Sequence, residues 1–72
     1  MEFDVELFGE RVRELRLQRG ITTTRLGQHV DVTDGAISRW ENGLLGPNVS
    51  SLYKLARFFN VSADYLLELD EE

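Results

Sequence analysis

The chain has 72 residues, with thirteen acids against eight bases for a formal net charge of −5, no cysteine and a single histidine, His29. That length fits one domain that buries only about 60% of the surface its unfolded chain exposes, so its stability is modest or helped by self-association. Without cysteine, a histidine cluster, metal-ligand spacing or a glycine-rich phosphate loop, nothing is equipped to run a reaction, hold a metal or require a cofactor; no apolar run approaches the roughly 18 residues of a membrane span, and the acidic start differs from a secretory signal, so a reducing cytoplasm is the natural setting.

The first helix is expected over Val5 to Arg19, because Phe8, Val12 and Leu15 recur at i, i+4, i+7 as one buried stripe. Gly20 ends it as a left-handed cap. Phe3, Leu7 and Leu17 fall off that stripe and read as partly buried. A second helix starts at Thr22 and runs to Val30, with Leu26 and Val30 on one face. The third, about residues 33–41, is capped by Thr33 and ends at Trp40 or Glu41. It buries Ala36, Ile37 and Trp40 and turns Asp34, Gly35, Ser38 and Arg39 outward.

Asn42 and Gly43 stop the third helix, and the loop Leu44 to Pro47 leads to Asn48, a good cap for a fourth. That helix is expected to bury Val49, Leu52, Leu55, Ala56 and Phe59. Asn60 closes it, Ser62 caps a fifth helix, and Asp64 in the fifth helix's first turn complements its dipole. There are no internal repeats, no low-complexity stretch and no strand-like alternation. The reading is all-α and a single domain over residues 1–72, with residues 1–4 and 70–72 as frayed ends.

A turn of only about three residues between the second and third helices forces them to cross steeply, the arrangement that lays the second of such a pair in the major groove of DNA. The stretch Gly20 to Gly43, GITTTRLGQHVDVTDGAISRWENG, closes on Ile37-Ser38-Arg39-Trp40-Glu41-Asn42-Gly43. It resembles the phage-repressor, or Cro-like (XRE), helix-turn-helix family. The likeness extends over roughly Phe8 to Leu67: Phe8 to Arg16 resembles the family's opening helix, and Ser51 to Ser62 with Asp64 to Leu67 resembles its last two.

This resemblance implies a five-helix, lambda-repressor-like domain with a central helix-turn-helix. The function implied is that of a sequence-specific regulator of transcription, a repressor of bacterial or phage origin, that binds double-stranded DNA as a homodimer on a pseudo-palindromic operator. Carried over position by position, the base-reading sites fall on Asp34, Gly35, Ser38 and Arg39, and the phosphate-contacting sites on Thr22, Thr23, Thr33 and Asn42. Arg16 matches the family position that pairs with a glutamate, here Glu41.

The net charge opposes DNA binding, since affinity for phosphates comes mainly from Lys and Arg. Its distribution reduces the objection. Nine of the thirteen acids lie in residues 1–10 and 64–72, whereas residues 11–63 hold all eight bases against Glu14, Asp31, Asp34 and Glu41, a net of +4. Of those bases, Arg39 is the best candidate for specificity, because a guanidinium bonds guanine O6 and N7 together. Arg13, Arg19 and Arg25 read as a solvated face.

Several positions depart from the family pattern. Thr23 replaces a common glutamine, Gly27 replaces a usual alanine, and Asp31 stands where a left-handed glycine is common. Asp34 puts a negative charge at the entry of the recognition helix, and Gly35 weakens that helix by about 1 kcal/mol relative to alanine. Leu44 and Leu45 replace the usual basic residues. An exposed leucine pair there suggests a dimer contact, with Phe58 and Tyr65 as neighbours. The neutral loop, Asp34 and the acidic ends also leave open a second function, an antitoxin- or antirepressor-like protein-interaction module with weak DNA affinity.

Overall fold

The structure, a computed structural model, describes residues 3–69. Five helices follow one another: α1 (Val5–Gln18), α2 (Thr23–Val30), α3 (Asp34–Glu41), α4 (Val49–Phe59) and α5 (Ala63–Leu67), with no strand among the described residues. Each begins with a side chain that accepts a hydrogen bond from the backbone N–H three residues on: Asp4 from Leu7, Thr22 from Arg25, Thr33 from Ala36, Asn48 from Ser51 and Ser62 from Tyr65. A cap of this kind stabilises its helix by about 0.5 to 2 kcal/mol, which short helices of eight residues or fewer need.

The helix ends are as local as the starts. Asp31 and Asn60 take the left-handed conformation at the ends of α2 and α4, with φ of 66° and 58°, and Gly20 follows α1 with φ of 66°. Glu68 does the same after α5, at φ 63°, a conformation that its residue type gives no reason to expect. Two boundaries shift by one residue. Arg19 is the C-cap of α1, still in right-handed geometry, and Thr22 caps α2 instead of opening it.

The core is Phe8 and Val12 of α1, Leu26 and Val30 of α2, Ile37 and Trp40 of α3, Leu55 and Phe59 of α4, and Leu66 of α5. Trp40 meets Phe8 edge to face, with ring centroids 6.0 Å apart. Burying side chains of this size stabilises the fold by about 1.5 to 3 kcal/mol each. Around this core α1 packs on α3 and α5, α2 on α3 and α4, and α4 on α5. Gly9 allows α1 to touch the end of α3 directly: a Cβ there would overlap the Trp40 carbonyl.

Val49 is not in the core. It is 84% exposed at the first turn of α4, so the buried stripe of α4 begins only with Ser51 and Leu52. At the other end of the chain, Phe3 and Asp4 are engaged instead of frayed: Asp4 caps α1, and the Phe3 ring lies 5.9 Å from Phe8. The remaining positions expected to fray, residues 1, 2 and 70–72, lie outside the described residues.

Candidate nucleic-acid interface

Three residues, Asp31, Val32 and Thr33, join α2 to α3. The left-handed Asp31 reverses the chain, and the Val32 N–H donates to the Gly27 carbonyl at 2.9 Å. Gly27 leaves room for this turn, since a Cβ there would stand 2.5 Å from the Val32 oxygen. The turn and the start of α3 occupy that space. With Ile37 and Trp40 fixed in the core, the opposite face of α3 must point outward, and Asp34, Ser38 and Arg39 are exposed on it.

Arg39 makes no hydrogen bond or ion pair with any of the described residues, which leaves its five donors for a partner. Asp34 is held loosely: the Thr24 hydroxyl donates to it at 3.5 Å, the outer limit for such a bond. Its carboxylate also sits in the first turn of α3, where negative charge complements the helix dipole. Ser38 and Asn42 face each other one turn apart. The Asn42 amide donates to the Ser38 carbonyl at 2.9 Å and approaches its hydroxyl at 3.4 Å, so Asn42 lies back along α3.

Thr22 and Thr33 are exposed and use one oxygen lone pair as a cap, so each hydroxyl proton remains free to donate. Thr23 is half-buried at the start of α2. Arg25 is exposed next to Thr22 and Thr24 and, like Arg39, has no partner among the described residues. These side chains stand at the N-terminal ends of α2 and α3, where backbone N–H groups and the helix dipole also favour an anion.

Beneath this surface Arg16 joins three segments. Its Nε donates to Glu41 Oε2 at 2.7 Å, its Nη2 to Glu41 Oε1 at 3.0 Å, and its Nη1 to the Ile21 carbonyl at 2.9 Å. The side chains are 13% and 2% exposed. The hydrogen bonds that Arg16 donates to Glu41 raise its guanidinium above its ordinary pKa; burial opposes this and the carboxylate charge adds to it. The pair fixes the end of α3 against α1 and against the segment entering α2.

Two arginines read as solvated have defined roles. Arg13 supplies a second cation to Glu41 at 3.3 Å while remaining half exposed. Arg19 donates to the Phe58 carbonyl at 3.1 Å and lies 5.0 Å from the Phe58 ring centroid. Helical spacing gives no sign of either, because both partners come from elements distant in sequence.

The loop leucines are exposed, Leu44 at 75%, beside the start of α1, where Gly43 abuts Glu6 and Gly46 abuts Phe3. Phe58 is not their neighbour. It stacks on His29 with centroids 4.5 Å apart and lies under Arg19, about 20 Å along α1 from Glu6 at 1.5 Å per residue. Tyr65 lies between these ends, its ring 4.3 Å below the Arg11 guanidinium, which also donates to its carbonyl. The apolar side chains left exposed on α4 are instead Val49 and Tyr53, four residues apart on one face.

Five short helices around one core, with the outer face of the second helix of a tightly turned pair left clear, define the helix-turn-helix class of lambda-repressor-like domains. The chain belongs to the helix-turn-helix family of XRE type, whose family model matches residues 12–66. It is 39% identical over 67 residues to repressor protein C2 of Salmonella phage P22, covering 93% of this chain and 31% of that protein. It is also 38% identical over 64 residues to the HTH-type transcriptional activator BcrR of Enterococcus faecalis, covering 89% of this chain and 31% of that one. The chain therefore spans about a third of the length of these two curated relatives. Among solved structures, the P22 c2 repressor in complex with a synthetic operator superposes with a TM-score of 0.85 at 41% identity, over 89% of this chain and 97% of that one.

Proposed function

We propose that this chain is the DNA-binding part of a transcriptional regulator of repressor type, with α3 as the helix that enters the major groove. The observation that carries the reading is the outer face of α3, where Arg39 is exposed and has no partner among the described residues while the opposite face is fixed in the core. Arg39 and Ser38 read base edges; Thr22, Thr33 and Arg25 hold phosphates, joined by Asn42 once it swings from α3. Thr23 contributes at the entry of α2, and Asp34 accepts from a cytosine amine when one faces it. The operator-bound state of the similar P22 c2 repressor supports the same docking here. Such a protein works on the genome, in the cytoplasm of a bacterial cell.

The longest dimension of the fold is 33 Å. Half-sites of an operator lie about 34 to 36 Å apart, so one copy serves one half-site and a homodimer serves the palindrome. Leu44 and Leu45 are the exposed apolar residues closest in sequence to the recognition helix and are proposed to meet their symmetry mates there. The antitoxin-like alternative rests on the neutral loop, Asp34 and the acidic ends alone.

Selection of duplexes from a random pool tests the function. A recovered palindromic consensus is expected. Affinity for it should fall steeply with salt, at a log-log slope near −0.9 for each neutralised phosphate. Failure to bind any selected duplex at low salt would refute the reading.

A further inference from the structure

Gly35 and Arg39 stand four residues apart on the outer face of α3, one above the other. Helical side chains lean toward the N-terminus, so Arg39 extends back along the helix over Gly35. Its Nη1 lies 3.9 Å from the point a Cβ on Gly35 would occupy, and the Thr33 hydroxyl oxygen lies 3.8 Å from the same point. The missing side chain thus leaves a shallow seat between Thr33 and the Arg39 guanidinium.

No other demand on the fold explains this glycine. Gly35 is not among the residues with positive φ. No backbone crowds it, in contrast to Gly9 and Gly27, whose Cβ positions run into the carbonyls of Trp40 and Val32. Glycine is also a poor choice for a helix of eight residues. The guanidinium that overlies it has no protein partner among the described residues, so neighbouring side chains alone decide where it can lie.

We propose that Gly35 is a positioning residue for base recognition, which seats the Arg39 guanidinium over the first turn of α3 without touching a base itself. The inference rests on the DNA-binding reading. In helix-turn-helix docking it is the N-terminal part of the recognition helix that meets base edges. Arg39 is the sixth residue of α3, and reaching back over position 35 moves its fork by one turn, about 5.4 Å, toward that end. A side chain longer than a methyl group at position 35 fills the seat and turns the guanidinium outward, away from the base edges.

The test measures base choice on duplexes selected with the full chain. Arg39→Ala identifies the base pair at which guanine preference disappears, a loss of about 5- to 150-fold. Gly35→Ala adds one methyl group at ordinary contact distance and is expected to keep that preference and raise the melting temperature. Gly35→Leu, which also suits a helix, is expected to lose the preference at the same base pair and to add no further loss in the Arg39→Ala background. Equal losses from Gly35→Leu with and without Arg39 would overturn the proposal, because the glycine would then be meeting DNA directly. Retained guanine preference in Gly35→Leu would overturn it as well.

A second measurement does not involve DNA. The Arg39 side-chain Nε–H resonance of the free protein is expected to shift in Gly35→Leu and to stay in place in Gly35→Ala. An unshifted resonance in Gly35→Leu overturns the seat whatever the protein binds. A parent chain that selects no duplex refutes the DNA-binding reading on which the recognition role rests, and so overturns that role even if the seat survives.

Discussion

Arg16 and Glu41 form a two-pronged ion pair between α1 and the last residue of α3, with bonds of 2.7 and 3.0 Å and the glutamate side chain 2% exposed. Removing one member of a buried pair leaves the other stranded, at a cost of about 3 to 5 kcal/mol. Glu41→Gln leaves Arg16 without its counter-charge and should lie at the upper end. Arg16→Met should lie lower, since Arg13 still reaches the carboxylate at 3.3 Å. Urea unfolding measures both; equal midpoints for the two variants and the parent would show that the pair contributes nothing. Because the bond raises the Arg16 pKa, its contribution is fully present below the unfolded value and is lost only as pH rises through the raised one, in strong alkali.

Glycines in the helices should respond oppositely to the same substitution. Gly9→Ala drives a methyl group into the Trp40 carbonyl, and Gly27→Ala puts one 2.5 Å from the Val32 oxygen. Each is expected to cost about 1 to 3 kcal/mol through overpacking, with Gly9 the worse because both sides of that contact are helix backbone. Gly35→Ala meets no such obstacle and should stabilise α3 by up to about 1 kcal/mol. Thermal melts of the three variants check the order, and a stabilised Gly9→Ala would mean that α1 and α3 are not in contact there.

Reading and holding should separate in binding data. Arg39→Ala is expected to cost about 1 to 3 kcal/mol on the preferred duplex and to relax the choice at one base pair. Asn42→Ala should weaken preferred and scrambled duplexes alike. If Arg39→Ala lowers both affinities equally, that arginine contacts only the backbone.

The double substitution Leu44→Lys, Leu45→Lys tests self-association. Two leucines buried between copies supply about 1.5 to 3 kcal/mol each, enough for a weak dimer that DNA strengthens. Sedimentation is expected to show weaker association for the variant, with the largest loss of affinity on full rather than half operator sites. An unchanged dimer constant together with tighter DNA binding would show that the leucines only stand where phosphate contacts would otherwise be.

What the sequence determined by itself is the set of helices and the face that α3 turns outward. Cap residues such as Thr33 and Asn48 act on N–H groups three residues away, and the Ile37 and Trp40 stripe fixes the opposite face, so both are local facts. The Arg16 and Glu41 pairing spans 25 residues and was legible only through family resemblance, because no periodicity links residues that far apart. Tertiary structure alone decided the rest. Val49 continues the apolar pattern of α4 yet faces solvent. Arg19 and Phe58 are joined, and Phe58 is separated from Leu44, because the fold brings the C-terminal end of α1 to the last turn of α4. Spacing along a chain says which residues share a face; which helix covers that face depends on the angles at which the helices cross, and those follow from how all their side chains pack together.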